Sequence, residues 1–192
     1  KQAGFNAVMI TPEAANDTML RNLRKGFTME HVQRSVRLAR ESGISCFWFF
    51  LLGGPGETQA TVDETVSFVE QNLTWKGCLS LFMTGVRILP GTELARQAIE
   101  EGALAPDTDL CDPRFYLSPQ VTEEWVLRRI NAAISRHSNI VHAAEEGRSV
   151  LERVMRRALN AAGVPPPYWR FLPALLSFSP LRLLRRHFPE MR

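Results

Sequence analysis

Cysteine is scarce and scattered in this 192-residue sequence: Cys46, Cys78 and Cys111 stand far apart, with no C-x-x-C and no spacing suited to zinc or a local iron–sulfur site. They read as reduced, mostly buried thiols. No apolar run reaches the ~18 residues needed to span a bilayer, and the first residues lack the charged-then-apolar order of a signal peptide, so a cytoplasmic protein is expected. Charge is nearly balanced, 23 Lys and Arg against 20 Asp and Glu, and a net +3 gives no footprint for nucleic acid. Internal repeats and low-complexity segments are absent as well.

What remains is an ordinary globular composition, 45% hydrophobic and 22% charged, enough for one domain with a core. The sequence starts at Lys1 without Met and by Ala7 is inside a strand-like run, which reads as a beginning cut from a longer chain. Asn6 to Ile10 has the content of a short buried strand that stops at Thr11-Pro12, since proline cannot continue a central ladder. Asn16 then caps a short helix terminated at Gly26, and Thr28 caps a longer one whose Met29, Val32, Val36 and Ala39 keep a helical period until Gly43. Ile44 to Leu52 is the second strand, and its lack of polar alternation predicts that both faces are covered. Thr58 or Thr61 starts a helix running to about Asn72 with Val62, Val66 and Val69 on one face. Cys78 to Ile88 is the third strand, and Thr92 to Glu101 a further helix stopped by Gly102.

Strand and helix alternate, with connections long enough for right-handed crossovers, which is α/β architecture. Three strands make a poor isolated sheet, because each edge leaves backbone groups unpaired. Beyond Gly102 the chain is punctuated by proline and aspartate, then helical over Thr122 to His137, with Trp125, Ile130 and Ile134 on one side, and again over 143 to 162. A proline-broken tail follows, rich in Leu and Arg.

The most constrained stretch is "FWFFLLGGPGET", Phe47 to Thr58. Gly53, Gly54 and Gly56 can take backbone angles closed to other residues and let a ligand approach the main chain. This is no Walker loop, for it has no G-K-[ST], and it is not G-x-G-x-x-G. Ligands in parallel sheets sit at the carboxyl ends of strands. Thr11 to Ala15, GGPGET and "LPGT" all fall at such ends, so three strand ends converge on one rim. The plainer alternative is a set of tight turns needed only for folding.

The segments "ITPEAANDTMLRNLRKGFTMEHV", "GISCFWFFLLGGPGET" and "RILPGTELARQAIEEG" together resemble, in order and spacing, the second half of a radical S-adenosylmethionine enzyme. The resemblance covers about residues 1 to 140 and is strongest to members that carry a cobalamin-binding domain. It implies the C-terminal half of a partial (β/α)6 TIM-like barrel, followed by a mostly helical C-terminal region. It also implies roles. Glu13 matches a polar residue that reaches the methionine or ribose part of S-adenosylmethionine, and Lys25 a basic residue that pairs with the methionine carboxylate. Leu52, Gly53 and Gly54 match the adenine-side motif, with Leu52 packing on the base and Gly54 allowing close approach. Glu57 is implied to be structural, bonding backbone amides of its own turn, and Arg87 or Ile88 matches a position whose backbone contacts adenine.

The departure from the pattern is the cluster motif. C-x-x-x-C-x-x-C does not occur in this chain, so the implied [4Fe–4S] cluster, and any cobalamin, would have ligands outside it. The resulting expectation is a radical S-adenosylmethionine enzyme fragment that forms the adenosine and methionine side of the cofactor site, for radical chemistry such as methyl transfer or cyclisation on an unknown substrate. Its partners are then a small-molecule or lipid-like substrate and the N-terminal half of the same protein. The alternative is a noncatalytic interaction module, associated with a membrane surface through its tail, where Leu172, Leu175, Leu176, Leu181 and Leu184 lie among Arg182, Arg185 and Arg186. Three units are expected: half-barrel 1–105, helical extension 106–163 and tail 164–192. His31, His137, His142 and His187 have no acidic or i+4 partner in sequence and read as ordinary, and Tyr116 as a core residue.

Overall fold

The structure is a computed structural model, and it describes residues 2–143 and 150–171. Its elements in chain order are β1 (Ala7–Glu13), α1 (Asp17–Asn22), α2 (Met29–Ser42), β2 (Ser45–Leu52), α3 (Gln59–Asn72), β3 (Cys78–Thr84), β4 (Val86–Ile88), α4 (Glu93–Glu100), β5 (Arg114–Tyr116), α5 (Glu123–Arg136), β6 (Ile140–His142) and α6 (Val150–Ala161), followed by a 3₁₀ turn, Tyr168–Phe171.

Four strands form one parallel sheet in the order β1-β2-β3-β6, so helical crossovers bring all their carboxyl ends to one rim. A single row, Glu13, Phe50, Phe82 and His142, runs across all four strands in register. This is the α/β, partial TIM-like architecture expected. The expected helical extension nevertheless contributes a strand: β6 pairs with β3 beyond residue 105, and α5 is the crossover that delivers it. A three-residue strand with one polar member carries too little alternation to be recognised from sequence.

Local chemistry sets the helix ends. Asn16 accepts from the Met19 N–H at 2.8 Å, Thr58 from Thr61, Thr92 from Ala95 and Thr122 from Trp125. Thr28 precedes α2 in a capping box with His31, and Gly43 closes that helix in the left-handed conformation. α1 ends at Asn22 rather than at Gly26, its last turn being closed by Leu23 and Arg24 N–H groups bonded to Met19 and Arg21 carbonyls.

Three further expectations are corrected. β1 runs on through Pro12 to Glu13, because it has no described strand on its outer side and its register slips between Ile10 and Glu13, so the missing proline N–H leaves no ladder bond unmade. The Cys78–Ile88 strand is two strands, broken at Gly85 (φ 81), after which β4 leaves the main sheet to pair antiparallel with β5. β2 is not covered equally on both faces. Cys46, Trp48, Phe50 and Leu52 are wholly buried beneath the helices, whereas Phe47, Phe49 and Leu51 on the opposite face are half-buried. That face is met at Phe47 by Trp169 of the 3₁₀ turn, ring centroids 5.4 Å apart.

The main core lies between the sheet and α1, α2, α3 and α5, with Met19, Leu20, Val36, Trp48, Phe50, Val66, Phe82, Val126 and Ile130 among its members. A smaller cluster of Ile88, Ala95, Ala98, Leu104 and Tyr116 holds β4, β5 and α4 together. Tyr116 is a core residue, as expected, and its hydroxyl donates to Glu101 at 2.7 Å. Outside the core, Arg129 of α5 bonds Asp63, Ser67 and Glu70 of α3, and Arg136 bonds Glu70 too. Burial alone would raise the Glu70 carboxyl, but the two guanidinium groups outweigh it and hold it below its ordinary value. The expected helix over 143 to 162 is seen as Val150–Ala161, and residues 144–149 and the tail from Leu172 on, His187 included, lie outside the described residues.

Candidate functional site

The rim offers two kinds of strand end. At β1 the chain turns through Glu13, a non-glycine residue at φ 68, into a loop stapled to its neighbours. The Ala15 N–H donates to Thr65 Oγ1, Asn16 Nδ2 donates to the Thr61 carbonyl, and Asp17 accepts from the Met29 N–H at 2.8 Å. These bonds tie the loop to α3 and to the start of α2. The return turn after α1 is fixed by the Lys25 N–H on the Leu20 carbonyl and by a second non-glycine residue at positive φ, Arg24 (φ 53).

Together these turns bring Lys25 Nζ to 3.1 Å from Glu13 Oε2, with both side chains still partly open to solvent, and the ammonium 5.9 Å from the Phe27 ring centre. Twelve residues separate the pair in sequence; the sheet-to-helix turn makes them neighbours. Glu13, itself at positive φ, and Arg24, next to Lys25, thus put backbone strain at this ion pair.

The β2 end is closed on itself. Glu57 is fully buried, and its Oε2 accepts the Gly53 and Gly54 N–H groups at 2.5 and 3.1 Å. Its N–H bonds the Gly54 carbonyl, and the implied structural role is the geometry seen. The glycines meet the protein's own atoms. A Cβ on Gly53 (φ 94) would overlap Leu117, one on Gly54 would stand 3.2 Å from Leu23 Cδ2, and one on Gly56 would stand 2.7 Å from Asn22 Nδ2. Asn22 also donates to the Pro55 carbonyl at 3.0 Å, linking this turn to the β1 corner.

One residue assigned to the adenine side is placed differently. The Leu52 side chain is fully buried in the core beneath the helices, so it has no surface for a base, and its carbonyl accepts from the Gly85 N–H at 2.7 Å. Arg87 is exposed on β4 opposite Phe115, where the chain has left β3 at Gly85, a position at which an added Cβ would stand 3.0 Å from Phe115 Cβ.

Ser118 and the Thr84–His142 pair were not singled out by the sequence. Ser118 is buried, donates from Oγ to the Glu57 carbonyl at 2.7 Å and from its N–H to the Gly53 carbonyl at 2.9 Å. A serine after a proline-marked stretch carries no local signal for such a long-range clamp. His142 lies 3.2 Å from Thr84 Oγ1 at the ends of β6 and β3, and burial pushes its pKa down.

Comparison with known proteins now adds what geometry cannot. The Radical SAM superfamily model matches residues 1–69, the segment that holds Glu13, Lys25 and GGPGET. That match covers about a third of the chain. No curated protein matches. Among solved structures, the fold is similar to the radical S-adenosylmethionine methyltransferase TsrM from Kitasatospora setae with cobalamin and a [4Fe–4S] cluster bound. The TM-score is 0.67 at 21% identity over 96% of this chain and 41% of that one. A second TsrM structure, with tryptophan substrate and the SAM analogue aza-SAM bound, gives 0.65 at 22% identity over 96% and 42%. The archaeal Methanocaldococcus infernus Elp3 gives 0.50 at 14% over 85% and 38%. These likenesses show a shared fold, and the chain spans about two fifths of the length of the structures it matches.

The residues present fit one implied group and not another. A zwitterionic amino-acid end has an anion and a cation side by side, and Lys25 and Glu13 offer the complementary pair at a strand end. A three-cysteine cluster is not matched: Cys46 and Cys78 are buried with thiols pushed up by burial, Cys111 is exposed elsewhere, and no cluster of three or more His, Cys, Asp or Glu suited to a metal occurs among the described residues.

Proposed function

We propose that this chain forms the methionine and adenosine wall of an S-adenosylmethionine site in a radical S-adenosylmethionine enzyme. The observation that carries the reading is the Glu13–Lys25 pair, 3.1 Å apart, accessible, and framed by positive φ at Glu13 and Arg24 inside the segment that the Radical SAM model matches. Lys25 receives the methionine carboxylate, Glu13 the ammonium, and the GGPGET turn stands beside the adenine as a rigid wall. Bound there, S-adenosylmethionine supplies a sulfonium-activated carbon. Leu52 then serves through its backbone and its support of the turn, and Arg87 through main-chain groups of β4.

The [4Fe–4S] cluster and cobalamin belong to this proposal as groups held outside these 192 residues, as does the rest of the barrel, for which the outer side of β1 offers a strand-pairing edge. Methyl transfer or cyclisation on a small molecule is the proposed reaction class, following TsrM, which was solved with tryptophan. A noncatalytic binding module is the second reading, favoured by the lack of C-x-x-x-C-x-x-C in the sequence. No helix among the described residues is long and apolar enough to cross a membrane, and we place the protein in the cytoplasm on the strength of its buried free thiols.

Titration calorimetry of the chain with S-adenosylhomocysteine tests the reading. Glu13→Gln and Lys25→Met should each weaken binding about tenfold, the loss of roughly one charge-assisted hydrogen bond. Affinity unchanged by both substitutions would overturn it.

A further inference from the structure

Glu57 differs from the other carboxylates of the fold that sit away from solvent. Glu13 has Lys25, and Glu70 has Arg129 and Arg136, but Glu57 is fully buried with no cation in any described ion pair. One oxygen, Oε2, takes both turn amides, while Oε1 is buried and has no hydrogen-bond partner among the described residues. Among the described residues, the groups found against the turn are uncharged: Met19 and Asn22 of α1, Leu23 just after it, Thr61 of α3, Val86 of β4, and Leu117 and Ser118 after β5. The Thr61 hydroxyl itself donates to the Thr58 carbonyl. A carboxylate in this setting is costly to ionise. Burial pushes its pKa up to about 7, against the opposing pull of the Gly53 and Gly54 amides and of Thr61.

The consequence of ionisation is set by what the turn holds. Gly53 and Gly56 sit at φ 94 and 73, and this conformation is kept by Glu57 from inside and by the two Ser118 bonds from across the rim. Resting on the reading of this turn as the adenine-side wall, we propose that Glu57 is a positioning residue whose carboxyl proton keeps the GGPGET turn closed, so that losing the proton to solvent loosens the turn and weakens S-adenosylmethionine binding. The sign follows from linkage. A folded-state pKa above the unfolded value means the native turn binds the proton more tightly, so its stability is full below the ordinary carboxylate range and declines as pH rises through about 7.

The test uses the full chain and two readouts, carbon-13 NMR titration of the Glu57 carboxyl and amide exchange at Gly53 and Gly54. Between ~pH 6 and ~pH 8 the ionised share of such a group rises about tenfold, and turn-amide exchange should rise by a similar factor beyond its intrinsic base-catalysed increase. Glu57→Gln, uncharged throughout, should show the intrinsic increase alone. Should that variant not fold, Ser118→Ala keeps the carboxyl, and its turn amides should exchange faster at both pH values while Glu57 still titrates near neutrality.

A carboxyl that titrates in the ordinary carboxylate range overturns the latch, as does turn exchange with the same pH dependence in the wild type and in Glu57→Gln. S-adenosylhomocysteine separates this proposal from the reading beneath it. Near-neutral titration with no binding at ~pH 6 sinks the cofactor-wall reading and leaves the turn's proton dependence standing, whereas binding of equal strength at ~pH 6 and ~pH 8 overturns the latch alone.

Discussion

The ends of β1 and β2 lie side by side and turn from sheet to helix in opposite ways. At β2 the GGPGET turn spends its polar groups internally: both amides go to Glu57, the Gly53 carbonyl to Ser118, and the space above each glycine is filled by Leu117, Leu23 or Asn22. At β1 the turn contains no glycine at Glu13 or Arg24, yet both adopt positive φ, and the side chains that result are open and charged. The closed end is the glycine-rich one, and the strain is carried by the end that looks unremarkable. On the proposed reading, the glycine-rich motif is a wall and the ligand-facing chemistry sits on its neighbour.

The largest way to break that contrast is Gly53→Ala. The new methyl group would overlap Leu117, and alanine would be held at φ 94, so two penalties of roughly 1–3 kcal/mol each combine to a loss of about 3 kcal/mol. A shift of the urea midpoint measures it. A loss under about 1 kcal/mol would mean that Leu117 moves aside freely and that the β2 end is less closed than its geometry indicates.

Gly56→Ala sharpens the same point at a smaller scale. Its φ of 73 carries the left-handed penalty, but the neighbour 2.7 Å away is the end of a flexible side chain, Asn22 Nδ2, which can swing off its bond to Pro55. A loss of about 1.5 kcal/mol is expected, roughly half that of Gly53→Ala in the same urea experiment.

The same contrast explains which parts of the molecule were legible in the sequence. Asn16, Thr28, Thr58, Thr92 and Thr122 announced their helices because capping is local chemistry between residues a few positions apart. The α/β architecture followed from alternation of strands with helices. By contrast β4, β5 and β6 are three residues each, too short for any period to register, and β4 exists because Gly85 turns the chain out of β3. Within the site, Glu13 and Lys25 were picked out from a resemblance, and the structure juxtaposes them; Leu52 was assigned to a base, but the parity of β2 points its side chain into the core with Trp48 and Phe50. Ser118 stands 61 residues from Glu57 in sequence, and contacts of that range leave no trace in a single chain.

The smallest effect on stability belongs to Glu13→Gly, and it discriminates most cleanly between the two strand ends. Glycine removes the positive-φ strain at residue 13, a gain of about 1 kcal/mol. It also frees the unfolded chain by roughly 0.5–1 kcal/mol and deletes a partly screened pair with Lys25 worth about 0.5 kcal/mol. These contributions nearly cancel, so the urea midpoint should stay within about 0.5 kcal/mol of the wild type, while S-adenosylhomocysteine affinity falls about tenfold. Gly53→Ala should do the reverse in proportion, losing fold stability first and affinity as its consequence. If Glu13→Gly instead destabilised the fold by about 2 kcal/mol and left affinity untouched, Glu13 would be structural like Glu57 and the β1 end would be as closed as its neighbour.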